Sequence, residues 1–190
     1  GGSGNADGRG GSGNGSGSGA TGGRPSNPVD TLPGVDEPLD VPPEGCLNAA
    51  TEGAVSLSLD SEVPSVSLEA TDGVLYANGV ACTDTGGADV ALTSLTSLAV
   101  ASTGAEANAV IFELGNGDWS ALLEVPEAIQ LEFSGGGISG LILRGTGNAD
   151  LYRHGMRESN LVFDLVGDGR INVVAAGVSD IAVELGGGDD

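Results

Sequence analysis

Residues 111–190 read, in blocks of ten, IFELGNGDWS, ALLEVPEAIQ, LEFSGGGISG, LILRGTGNAD, LYRHGMRESN, LVFDLVGDGR, INVVAAGVSD and IAVELGGGDD. Each block opens on an apolar run and most close on glycine with Asp or Asn, so strand and turn alternate on a regular beat. No helical period survives in these windows. The runs AVIFEL, GLILRG, NLVFDLVG, INVVAAG and IAVELG are almost continuously apolar, the pattern of strands covered on both faces. Internal alignment is best at a step of twenty: Leu141, Leu161 and Ile181 share a column, as do Gly147, Gly167 and Gly187, and Asn148 falls with Asp168. Two strands per turn of that length predict parallel β-solenoid-like repeats over residues 109–190, with like residues stacked about 4.8 Å apart. Short strands at spacings of eight to twelve residues also suit a β-sandwich, which stands as the alternative fold. Corner glycines at a constant phase favour the solenoid.

Upstream, over residues 46–108, the pattern changes to alternation: Val55, Leu57 and Leu59 in AVSLSLD, then Val66 and Leu68 in SVSLEA. Alternation predicts strands with one wet face. Asp72-Gly73 and Asn78-Gly79 are dipeptides that accept positive φ, and each sits where a tight hairpin turn is needed. The region is therefore expected to be an antiparallel β cap. Cys46 and Cys82 are the chain's two cysteines, and with no CxxC or His-rich context they read as a disulfide joining the entry of this cap to its exit. The whole chain is expected to be all-β.

Residues 1–45 contribute little to a core. The first 24 are nearly all Gly, Ser, Asn and Ala, which cannot bury enough apolar surface to offset chain ordering. Six prolines among acidic residues follow between Pro25 and Pro43, a stiffened tether. The formal net charge is −21, from 27 Asp and Glu against six arginines and no lysine. That balance excludes nucleic acid bound through its phosphates, and an anionic membrane surface with it. No apolar run approaches the 18 residues or so of a membrane span, so no membrane insertion is expected. The chain starts without Met and stops at Asp190 in mid-turn, which reads as part of a longer repetitive protein.

The chemistry of the turns is that of oxygen ligands. GTGNAD (145–150), GDG (167–169) and GGGDD (186–190) place carboxylates or carboxamides directly after strands, and calcium takes six to eight oxygens from such groups and from backbone carbonyls. LILRGTGNADL and IAVELGGGDD resemble the strand and Gly/Asp-turn units of secreted bacterial repeat proteins related to the hemolysin-type calcium-binding (RTX) family. That resemblance covers about the last 50 residues, in units of ten rather than nine, without one complete GGxGxDxUx in the folded part. It implies a parallel β-roll exported from a bacterium, with Asp150, Asp168 and Asp189 in the turn-aspartate role, Asn148 and Asp190 beside them, and calcium between turns. The same residues also read as ordinary turn formers that bond their own backbone.

No catalytic constellation stands out. His154 is the only histidine, in LYRHGMRE, with no GxSxG serine and no assignable carboxylate partner. Trp119, Tyr76 and Tyr152 are too few and scattered for a sugar platform, and Trp119 reads as a packing residue. These features point to a non-enzymatic structural or adhesion module, extracellular or on a bacterial cell surface, whose partner is a surface glycan or a protein. The rival is a carbohydrate-active enzyme of the β-helix class, a polysaccharide lyase or hydrolase dependent on Arg153 or Arg157.

Overall fold

The structure is a computed structural model and describes residues 40–49, 53–115, 118–135, 137, 139–145 and 152–184. Of the expected linker over residues 1–45, residues 1–39 lie outside them, and Glu44 near its end bridges Ser58 of the first strand. The described chain is all-β: twelve strands, β1 (Ala54–Leu59), β2 (Ser65–Thr71), β3 (Val74–Ala77), β4 (Val80–Ala81), β5 (Ser97–Ser102), β6 (Asn108–Glu113), β7 (Ile129–Phe133), β8 (Ser139–Arg144), β9 (Arg153–Arg157), β10 (Asn160–Asp164), β11 (Val173–Ala176) and β12 (Asp180–Glu184). The one α-helical segment, α1, is the single turn Ser120–Leu123.

The strands form two six-stranded mixed sheets, ordered β1-β5-β7-β11-β10-β9 and β12-β8-β6-β2-β3-β4. In the first sheet β1, β5, β7 and β11 are parallel neighbours; in the second β2, β6, β8 and β12 are. The chain therefore crosses from one sheet to the other four times in the same sense, at 60–64, 103–107, 134–138 and 177–179. It returns through longer segments that carry the extra elements: the β3–β4 hairpin, α1, and the β9–β10 hairpin. Both hairpins pair antiparallel and extend opposite ends of opposite sheets.

Alternation places Val55, Leu57 and Leu59 of β1 on the inner face, and Val66, Leu68 and Ala70 of β2 opposite them, all buried in one core shared by both sheets. Parallel register then stacks like on like. Val66, Val110, Leu141 and Ile181 occupy one row across the second sheet, and Leu68, Phe112, Leu143 and Val183 the next. The continuously apolar runs of β6 and β8 have the reason the sequence implied: Ile111 and Ile142 point to the outer face and are buried there too, with Ala107, Ala109 and Ala182 around them. Trp119 packs edge-on against Phe112, ring centroids 5.8 Å apart, and donates its indole N–H to the Glu113 carbonyl.

Crossing segments lie directly on one another. A Cβ at Gly135 would overlap the Gly104 carbonyl of the preceding crossing, and one at Gly177 would overlap the Phe133 carbonyl. Glycine there admits a close approach of backbone to backbone. A strand plus a crossing takes ten residues from β7 (Ile129) to β8 (Ser139) but seven from β11 (Val173) to β12 (Asp180), so the ten-residue beat matches the structure only at the first of these.

Two expectations are corrected. The step of twenty is not the structural repeat: Leu141 and Ile181 are neighbours in the second sheet, but Leu161 lies in the first, paired with Ala175 and Met156. The returns differ in length, so the true register steps vary; Val100 to Leu131 is one rung, and so is Leu131 to Ala175. Gly147 and Gly187, also in that alignment, lie outside the described residues. Second, the strands of 46–108 pair antiparallel only in β2–β3–β4, apart from the single bridges Val74–Ala91 and Thr83–Asp89; β1 and β2 pair in parallel with β5 and β6. Its two turns are those expected, with positive φ at Asp72, Gly73, Asn78 and Gly79.

The β3–β4 end is closed. Cys46 and Cys82 form a disulfide and are fully buried. Around it Thr83 N–H donates to the Cys46 carbonyl, Ala49 N–H to the Thr83 carbonyl and Ser58 N–H to the Glu44 carbonyl. Asn78 ties the incoming chain down: its amide donates to the Val41 carbonyl at 2.8 Å and accepts from Ser67 N–H at 2.8 Å.

Candidate functional site

The β9–β10 hairpin and the turn after it gather the most varied chemistry among the described residues. The turn is organised by Asp164, the last residue of β10. Its Oδ1 accepts N–H bonds from Val166 at 3.2 Å and Gly167 at 2.6 Å, and its Oδ2 one from Gly169 at 2.7 Å. Gly167 and Gly169 adopt φ of 76° and 91°, which turns these N–H groups inward. Burial pushes the Asp164 carboxyl up, but the N–H bonds of Gly169, Gly167 and Val166 and the charge of Arg153 outweigh it and hold it below the usual carboxylate range.

Asn172 completes the frame from the start of the next strand. It is buried, accepts from Leu165 N–H at 2.7 Å and donates to the Leu123 carbonyl at 2.6 Å, fastening this turn to α1. Asp168, at the tip of the turn, behaves differently. Its Oδ1 accepts from Arg170 N–H at 2.8 Å and its Oδ2 pairs with Arg170 Nε at 3.2 Å. That is the bonding of a turn-forming aspartate with its own cation, and neither oxygen lacks a partner. Asn148, Asp150, Asp189 and Asp190 lie outside the described residues. Among the described residues no three His, Cys, Asp or Glu side chains converge as a metal site.

An open depression of about 240 Å³ lies beside the hairpin, lined by Arg153, His154, Phe163, Asp164 and Ile171 among others. His154 is exposed and its ring sits tilted against Phe163, centroids 6.2 Å apart. Arg157 reaches Glu127 at 2.6 Å, an ion pair thirty positions apart in sequence. The depression thus offers one cation and one imidazole at its rim, with a carboxylate whose oxygens are already committed to the backbone. It holds no nucleophile–base pair.

A second constellation lies on the outer face of the second sheet. Glu69, Glu113, Arg144 and Glu184 are consecutive rungs of one row. Arg144 Nη1 meets Glu113 at 2.7 Å and its Nε meets Glu184 at 2.8 Å. Burial works against the Arg144 charge, but both carboxylates outweigh it and raise its pKa further. Sequence reading singled out Arg153, Arg157 and the turn aspartates and passed over Asp164, Asn172 and Arg144. The signal for the first two was a polar residue interrupting an apolar run, in NLVFDLVG and INVVAAG.

No protein-family model, curated protein or solved structure matches this chain.

Proposed function

We propose that the four successive couples β1/β2, β5/β6, β7/β8 and β11/β12, one strand from each sheet, are the coils of a short β-solenoid, and that the chain serves as a non-enzymatic structural or adhesion module outside the cell, presenting its sheet faces and edges to a glycan or protein. The observation that carries this reading is the pair of parallel ladders, each four strands deep and joined by stacked glycine crossings. Parallel pairing in both sheets supports coils over the antiparallel order usual in a sandwich. The buried disulfide supports an oxidising setting. Kinship with RTX-like repeats, and calcium in the turns 145–150 and 186–190, belong to the same proposal; Asp168, engaged by Arg170, is not counted among the ligands.

The test has two arms. Displayed on an inert cell surface, the chain should confer binding to glycan- or protein-coated surfaces while releasing no fragments from acidic polysaccharides. Release of unsaturated uronate products that disappears in Arg153→Ala would overturn the proposal in favour of a lyase. For the metal, chelation should lower the melting temperature and calcium restore it, with Asp168→Asn leaving that response intact. A melting curve indifferent to both removes calcium from the proposal.

A further inference from the structure

The β9–β10 hairpin stands outside both parallel ladders. It is inserted in the return from β8 to β11, and insertions of this kind gather on one face of a repeat stack, where binding is commonly carried. Four arginines fall among the described residues. Arg144, Arg157 and Arg170 are each held in an ion pair, and Arg153, exposed at the start of β9, is in none. Register sets Arg153 opposite Asp164 and Gly155 opposite Val162, so all four share one face of the hairpin, and all four line the depression of about 240 Å³. A Cβ at Gly155 would meet no atom within 4 Å, so the missing side chain leaves the floor open. Among the described residues, backbone N–H groups fill three of the roughly four acceptor positions of the Asp164 carboxylate, two on Oδ1 and one on Oδ2. One position on Oδ2 stays open to a hydroxyl donor.

We propose that this depression binds the sugar acid of a glycan, a hexuronate whose carboxylate pairs with Arg153, whose hydroxyl donates to Asp164 Oδ2 and whose ring lies over Gly155 and Val162. A guanidinium beside an open acceptor suits a molecule that carries a carboxylate and hydroxyls together. The carboxylate of an acidic peptide brings no hydroxyl, and Asp164 would then face it with nothing to accept. A volume of about 240 Å³, below the roughly 300–1,000 Å³ of drug-sized sites, holds a single ring. The net charge of −21 disfavours a dense polyanion, while charges farther than about 8 Å from a lone carboxylate are screened at physiological ionic strength. The sugar acid is therefore terminal or sparsely spaced in its glycan. This inference rests on the reading of the chain as a module that binds a glycan, and names the sugar it holds.

The test titrates the whole chain with methyl glucuronide and methyl galacturonide, which contain no bond between sugars to cleave, and follows the amide signals of residues 153–157 and 162–171 by NMR. At least one should bind with a Kd on the order of 1 mM, and its neutral methyl glycoside at least about tenfold more weakly. Arg153→Gln should lose at least about tenfold in affinity. Gly155→Leu, whose Cβ meets open space, should abolish binding with the melting curve unchanged. Arg157→Gln removes the same charge from an existing ion pair and should leave the affinity within about twofold. Failure of both sugar acids to bind, equal binding of the neutral glycosides, or unchanged affinity in Arg153→Gln or Gly155→Leu each overturns the proposal. So does acetyl-glutamate amide binding as tightly as the sugar acid, since an acidic peptide is then the ligand. If both sugar acids fail while the displayed chain still adheres to coated surfaces, this site alone is lost; if the chain adheres to nothing, the adhesive reading falls with it.

Discussion

Asp164 shows how one side chain can replace the backbone partners that an abrupt turn removes. Because its folded pKa lies below the unfolded value, its contribution is fully present above about pH 4 and fades as pH falls through the lowered pKa. Asp164→Asn should cost about 2 kcal/mol at neutral pH, and the gap from wild type in denaturant titrations should shrink toward pH 2. Gly135 makes the opposite kind of demand, for the absence of an atom. Gly135→Ala should destabilise the fold by about 2 kcal/mol or more, read as a fall in melting temperature, because the stacked Gly104 carbonyl must move. Neither requirement is visible from composition. In the sequence, Gly135 is one of three consecutive glycines, and nothing there says which crossing it touches; Asp164 could be seen only as a carboxylate where an apolar run should have continued.

At the scale of elements, the hairpin turns at Asp72-Gly73 and Asn78-Gly79 and the alternation in β1 and β2 were legible because they are local: turn chemistry and side-chain period are set by adjacent residues. Strand partners were not. A register between Val100 and Leu131, or between Leu141 and Ile181, depends on the length of whatever is inserted in the return, and in the inserted hairpin β10 (NLVFD) carries an apolar run like those of the ladder strands. The false column through Leu161 arose in this way. Arg144, likewise, is an arginine after an apolar run until the register sets Glu113 and Glu184 on either side. Arg144→Gln should cost about 1 kcal/mol in chemical denaturation, less at high salt, since its partners are partly solvated and Glu113 is then left beside Glu69 alone.

At the scale of the whole stack, the two ends of its described strands differ in kind. One is sealed by Cys46–Cys82 and a mesh of backbone bonds; the other carries exposed Ile181 and Val183. Stability should therefore be graded along the stack, with amides of β5–β8 slowest to exchange and those of β12 fastest in native-state hydrogen exchange. Reduction of the disulfide, which closes a loop of 36 residues, should remove about 3 to 4 kcal/mol by the chain-entropy relation. It also fixes how the chain can lengthen. If the module is pulled by its two termini, residues between Cys46 and Cys82 are bypassed by the covalent bridge, and roughly 120 Å of contour stays hidden however far the rest unravels. Under tension the oxidised chain is a shorter tether than its sequence length implies, and a reductant alone would pay out the difference.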